Sequence, residues 1–298
     1  MGLSKISAVL PVTLAGREAE APFGLLDNLF LSLKKFAQPG LFERFFIIAP
    51  PRDVEPLKAY AEKIDYVNIE VIDEVALVPS LANYAGIVDG WRLQQILKLA
   101  IAERVATPFY LTFDQDIFFT HPVSEEKLLP DGKALTQYEA KAVHKKWWRS
   151  SAFHLKMKTR LNEDGIQVTP AILSTEATQG LIKELSAKVD WVDKLLEPHL
   201  PTSKARFHPR WKHRHRWTEY TLYWLYLEKH NLVETYHADS SIGYTLLSEK
   251  AVWKIEGLDG WDPDACFADG DKSLFSLVQS STGMPSKFVL DKIKKYIS

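Results

Sequence analysis

Short apolar runs alternate with longer stretches that repeat every three to four residues. "ISAVLPVTL" (6–14) is a β-rich run interrupted by Pro11. In "LLDNLFLSLKKFA" (25–37), Leu25, Leu29, Leu33 and Phe36 share one helical face. "RFFIIAP" (44–50) is a continuous apolar strand closed by Pro50 and Pro51. A polar-faced helix over 53–64 and a third strand over 67–74 follow. "WRLQQILKLAIAER" (91–104) carries an apolar face at Leu93, Ile96, Leu97, Ala100 and Ile101, and leads into "PFYLTFDQD". Strand and helix in strict alternation predict a mostly parallel α/β sheet. The unbroken apolar strands predict a sheet covered on both faces.

The second half is less regular. A strand is predicted over 133–140, and a strand or turn becoming a helix over 169–187. Residues 198–217 read as a polar loop rich in proline, histidine and arginine. A helix over 218–230 has Thr218 as its N-cap, a short strand covers 273–280, and a closing helix covers 287–297. There are no repeats and no low-complexity segment.

Composition adds few constraints. The 298 residues are 46% hydrophobic and 25% charged, enough to bury a core without staples. A net charge of −1 gives no global case for nucleic acid or an anionic membrane. The single cysteine, Cys266, excludes an internal disulfide and fits a reducing compartment. "MGLSKISAVLPVTLAG" reads as a first strand rather than a signal peptide, and no run approaches a membrane span. A cytoplasmic location is the expectation, with contact at the inner face of the membrane left open. Aromatics make up 12%, nine of them tryptophan, a surplus that serves either a bulky core or a sugar- or nucleotide-binding cleft.

The chemistry concentrates in "FYLTFDQDIFF" (109–119), where Asp114 and Asp116 interrupt a buried run. If the chain stays extended, the two carboxylates point the same way, ~7 Å apart, and Gln115 points away. Such a pair repels unless a cation or proton lies between. No Lys or Arg lies between Arg104 and Lys127, so the local sequence offers no basic partner. Mg²⁺ or Mn²⁺ is the natural candidate, at the strand ends where open α/β sheets bind ligands. The plain alternative is a pair of turn or capping residues. The apolar run "IFF" directly after the pair argues against an exit to solvent.

The block "LQQILKLAIAERVATPFYLTFDQDIFFTHPV" (93–123) resembles the core of GT-A-fold glycosyltransferases, whose Asp-x-Asp motif follows a strand. More narrowly, the chain is similar to a bacterial family of that group known mainly as a domain of unknown function. The matching pieces run in order over roughly residues 5 to 290. They are Trp91, Gln94, Gln95, Lys98 and Leu99; Asp114 to Asp116; Thr169 and Pro170; Glu219, Tyr220, Leu222 and Tyr223; Gln279 and Ser280. Gln115 departs from the pattern, where a smaller residue is usual. The resemblance implies one GT-A-like domain over 1–298, with a nucleotide-sugar half (1–125) and an acceptor-side half (126–298). It implies a Mn²⁺- or Mg²⁺-dependent glycosyltransferase moving a sugar from a nucleotide-sugar donor to a hydroxyl of a cell-surface glycan. Asp114 and Asp116 would hold the metal, with His237 as a distant third ligand, although a lone histidine after a strand is more often structural. Asp116 and Glu219 would be catalytic. Glu219 would be the base for an inverting reaction, against the plain reading that it caps a helix. Lys98, Gln94 and Gln95 would meet the donor, and Pro11 and Thr13 the nucleotide base.

Other residues are read without the resemblance. "HPRWKHRHRW" (208–217) is the most basic stretch. It suits an acidic or phosphate-bearing ligand better than zinc at His213 and His215, or nucleic acid stacked on Trp211 and Trp217. "HKKWWRSS" (144–151) offers Trp147 and Trp148 for a sugar face or for the core. Glu74 contacts a ribose or caps a turn. Two other functions remain open: a metal-dependent nucleotidyltransferase or phosphohydrolase, or a non-catalytic glycan-binding module. The first lacks a glycine-rich loop, since "LPVTLAGREAE" has only Gly16.

Overall fold

The computed structural model describes residues 5–14, 21–204, 214–239, 241–258 and 260–298. Ten strands are present among them: β1 (Ile6–Pro11), β2 (Phe45–Ala49), β3 (Ile69–Asp73), β4 (Phe109–Thr112), β5 (Ile117–Phe119), β6 (Glu139–Ala140), β7 (Asp164–Gly165), β8 (Ala171–Ser174), β9 (Thr245–Leu247) and β10 (Ser273–Leu277). The main sheet has the order β3-β2-β1-β4-β8. Its first four members are parallel, with Leu10 opposite Ile47 and Val9 opposite Thr112, and β8 runs antiparallel to β4. The result is an α/β fold around a mostly parallel sheet.

Alternation along the strands builds two cores. Val9, Phe46 and Ile48 face one side, packing with residues from the helices Gly90–Ala100, Thr175–Leu185 and Glu219–His230. Ala8, Leu10, Phe45 and Ile47 face the other, packing with the helices Gly24–Phe36 and Pro51–Ala61. Every residue of β1 and β2 is therefore buried, as their unbroken apolar sequence requires. Helix Glu219–His230 buries residues all round, from Tyr220 to Leu227, because helices and the sheet enclose it. A smaller sheet, β5-β10-β9, and helix Ser286–Ile297 extend the second side.

Three differences from the sequence reading have physical causes. The strand expected over 133–140 shrinks to the two-residue β6 and a bridge from Ala134 to His237. The "HKKWWRSS" stretch lies in the helix Lys145–His154, which buries Ser150, Ser151 and His154 beside Trp148, so no clean apolar period marks it. Finally, Asp114 to Asp116 do not stay extended. Ile117 N–H bonds back to the Asp114 carbonyl at 3.2 Å, closing a turn between β4 and β5.

Candidate functional site

β4 ends at Thr112, and the turn delivers Asp114, Gln115 and Asp116 to the C-terminal edge of the parallel strands. There they line a cavity of about 1010 Å³. Gln115 also lines it, rather than pointing away, because a turn does not keep the period of two. Pro11 and Thr13 enter from the end of β1, Glu74 from the end of β3, and Trp91 and Gln94 from helix Gly90–Ala100. Gln279 and Ser280 close the side after β10. An apolar wall of Val75, Ala82, Val88, Leu93 and Leu97 completes it.

The cation missing from the local sequence comes from the preceding helix. Lys98 Nζ lies 2.7 Å from Asp114 Oδ1, 2.9 Å from Thr169 Oγ1 and 3.3 Å from the Tyr220 hydroxyl. It also lies 3.4 Å from Glu219 Oε1. The lysine is 2% exposed. Burial alone would push its pKa down. The Asp114, Tyr220 and Glu219 oxygens outweigh that and hold it well above the ordinary lysine range. Lys98 is thus a fixed ammonium beneath the pair, not a donor-facing side chain as expected. Tyr220 reinforces the cage by bonding Thr112 (2.8 Å) and Thr169 (2.9 Å) through one hydroxyl.

Glu219 starts its helix behind Lys98, next to the N-cap Thr218, whose side chain and Thr221 form a reciprocal capping box. It is 4% exposed and is not among the cavity-lining residues. Burial raises its carboxyl and Lys98 draws it back down. A general base must reach the acceptor hydroxyl. The structure gives Glu219 a buried ammonium, Lys98, as its neighbour at 3.4 Å.

Asp116 is held differently. Ser280 N–H donates to its Oδ2 at 2.8 Å. Burial, then the charge of Asp114, raises its carboxyl to about 6. Asp114 and Glu219 thus share one ammonium, and Asp116 adds a third carboxylate beside Asp114. When all are ionised the cluster lacks two positive charges, which a divalent ion would supply. Two carboxylates leave most of a hard ion's shell for water and phosphate oxygens, so the donor set fits Mg²⁺ or Mn²⁺ bound together with a ligand. Among the described residues, no group of three or more His, Cys, Asp or Glu side chains forms a metal cage by itself.

Not every expected residue reaches the site. Gln95 is 1% exposed and turns inward, donating to the Trp91 carbonyl at 3.2 Å, while Gln94 on the same helix lines the cavity. His237 lies at the far end of the sheet. Its ring bonds Thr136 Oγ1 (2.8 Å) and the Tyr223 hydroxyl (2.9 Å), and Tyr223 accepts from Ser174 N–H. Ser174 pairs with Phe109, the opposite end of β4 from Asp114. His237 is therefore a buried structural histidine and not a third ligand. Trp148 and Trp217 are fully buried, donating to Gln167 Oε1 and the Leu195 carbonyl, so neither offers a sugar-stacking face. Trp211 and His213 lie outside the described residues. Glu74 is 8% exposed, with its carboxyl raised by burial, and Asp73 rather than Glu74 caps the turn that follows.

The His237 geometry predicts an acid-sensitive step in stability. Burial pushes its imidazole down to about 3, whereas an unfolded histidine titrates near ~6.5. Unfolding therefore takes up a proton at pH values between the two. The stability held by neutral His237 is fully present above pH ~6.5 and is lost progressively toward pH ~3. Between pH 7 and 5 the loss should be about 2 kcal/mol. Urea denaturation of His237→Gln should show the gap to wild type narrowing by that amount. A constant gap would refute the assignment.

The chain matches a family of unknown function (DUF6492) over residues 3–298. It belongs to that family. No curated protein sequence matches it. Among solved structures it is similar to the crystal structure of mouse xyloside xylosyltransferase 1 in its apo form, at 13% identity and a TM-score of 0.48. The similarity covers 94% of this chain and 99% of that one. In this DUF6492 member, the sequence pieces that run in order along the chain converge in space. Lys98, Asp114, Thr169 and Tyr220 share one hydrogen-bonded cluster, and Trp91, Gln94, Asp116, Gln279 and Ser280 line the cavity above it.

Proposed function

We propose that the chain is a glycosyltransferase of GT-A type that takes a sugar from a nucleotide-sugar donor in the presence of Mn²⁺ or Mg²⁺. The observation that carries this reading is the cavity at the C-terminal edge of the parallel strands. Its lining combines apolar residues, Val75, Ala82, Val88, Leu93 and Leu97, with the Asp114–Asp116 pair. A nucleoside needs the first and a metal-bound diphosphate the second. The acceptor in this reading is a hydroxyl of a cell-surface glycan. No helix among the described residues is long and apolar enough to cross a membrane.

Asp114 and Asp116 would hold the ion. When bound, it would neutralise charge building on the leaving diphosphate. The chain's own residues prepare the place. Lys98 fixes one oxygen of Asp114, and the Ser280 N–H fixes one oxygen of Asp116, so the pair is oriented before any ligand arrives. Glu219 holds Lys98 from behind and keeps the ammonium charged. Val75, Ala82, Val88, Leu93 and Leu97 would exclude water from the nucleoside, while Pro11, Thr13 and Gln94 edge the same space.

Calorimetric titration of UDP, GDP and CDP, each with and without Mn²⁺, tests the reading. At least one nucleotide should bind with micromolar affinity in Mn²⁺ and much more weakly in chelator. If none binds in either condition, the reading is wrong.

A further inference from the structure

Beside the cavity mouth lies a rim that the donor reading does not use. Trp91 lines the cavity and is 44% exposed. Trp147 packs beside it with centroids 6.1 Å apart, and His144 stacks on Trp147 at 3.8 Å. A half-open aromatic shelf of this kind fits the apolar face of a sugar ring.

Basic residues outnumber acidic ones around the shelf. Lys145 and Lys146 occupy the first turn of helix Lys145–His154, with no acidic residue there. The helix dipole disfavours cations at that end and favours anions. Arg92 sits over the Trp91 ring at 5.2 Å. Burial and the nearby charge of Arg216 push its guanidinium down, and Asp89 at 3.4 Å only partly offsets them. Its buried Nη1 has no hydrogen-bond partner. Arg216 is anchored to the same helix, its N–H donating to Ser150 Oγ at 3.1 Å. Among the described residues no carboxylate pairs with Lys145, Lys146 or Arg216. Arg92 lies over the shelf, Arg216 is close enough to act on it, and Lys145 and Lys146 stand in the chain between His144 and Trp147, with Asp89 the acidic partner of Arg92.

We propose that this rim binds an anionic glycan, with a sugar ring on Trp91 and Trp147 and an acidic group, carboxylate or phosphate, against Lys145, Lys146, Arg92 and Arg216. The inference rests on the glycosyltransferase reading, in which this glycan is the acceptor. The acidic group anchors the chain electrostatically and the shelf fixes the ring, leaving a hydroxyl free to enter the cavity past Trp91.

Binding to the full chain tests it, read by calorimetry at low salt. The probes are tetragalacturonate against its methyl ester, and mannotetraose 6-phosphate against mannotetraose. At least one acidic probe should bind about 10-fold tighter than its neutral counterpart, the value of one charge-assisted contact. Which acidic probe shows the preference separates carboxylate from phosphate. The Lys145→Ala/Lys146→Ala variant, altered only at exposed positions, should lose that preference, and Trp91→Ala should weaken acidic and neutral probes alike. Equal binding of acidic and neutral probes, no binding of any probe, or a preference unchanged in the lysine variant would overturn the inference. Mn²⁺-supported nucleotide binding, measured on the same preparation, separates the two claims. If it persists while the acidic preference is absent, only the acceptor inference falls; if it too is absent, the glycosyltransferase reading falls.

Discussion

Lys98→Met should destabilise the folded protein by about 3–5 kcal/mol, the usual cost of removing one partner from a buried ion cluster. Methionine retains most of the aliphatic stem, so packing changes little and the loss is that of the charge and its hydrogen bonds to Thr169 and Tyr220. Lys98 is 2% exposed and Glu219 4%, and Glu219 has no other cation within salt-bridge distance among the described residues. Asp114 is better placed to survive, because its side chain is 35% exposed and opens to the cavity. Most of the cost therefore falls on Glu219, and the Lys98→Met/Glu219→Gln double variant should recover part of it. The deficit of the single variant should also shrink from pH 7 to pH 5. Burial already raises the Glu219 carboxyl, and loss of Lys98 removes the charge that draws it down. With a folded pKa above the unfolded one, stability falls as pH rises between them, so acid relieves the strain. Urea denaturation at both pH values measures this. A loss below 1 kcal/mol, or a double variant no better than the single, would contradict the arrangement.

The Lys98 cluster also shows why some of the site was legible in the sequence and some was not. Strand order along the first half could be read because buried parallel strands leave an unbroken apolar signature, as in "RFFIIAP". The acidic pair stood out because charge inside such a run demands a partner. The partner itself was hidden: Lys98 looks like an ordinary polar-face lysine at i, i+4 from Gln94. Only the packing of helix Gly90–Ala100 against the sheet brings it to a residue 16 positions later. His237 failed as a ligand for the converse reason. Sequence gives no sign of which end of a sheet a histidine after a helix will occupy, and here Tyr223 and Thr136 satisfy both its nitrogens. Gln115 was misplaced because a two-residue turn breaks the strand period at the point of interest. Helix Lys145–His154 went unseen because its buried face is partly serine and histidine, and its N-terminal lysines oppose its dipole.

The two aspartates should separate when each is changed to asparagine. Asp116→Asn keeps an oxygen to accept from the Ser280 N–H and removes a carboxylate that burial and Asp114 already hold near neutrality, at about 6. In the metal-free protein it should be neutral or stabilising. Mn²⁺-supported nucleotide binding should nonetheless fall at least about 100-fold, since loss of a partner merely one shell further out can cost that much. Asp114→Asn should lose binding to a similar degree and lose stability as well, because it takes away the 2.7 Å charge partner of Lys98 and leaves the ammonium to Glu219 alone. Thermal unfolding in chelator, set beside calorimetry in Mn²⁺, gives both numbers for both variants. If neither variant lost binding, the pair would be a structural turn and its aspartates turn residues. If only Asp114→Asn lost binding, the ligand would be held through Lys98 and Asp114, and Asp116 would have no part in it. The expected split follows from the geometry. One aspartate is tied to the fold through a buried lysine. The other is held by Ser280 at the cavity edge, with no buried cation to depend on its charge among the described residues.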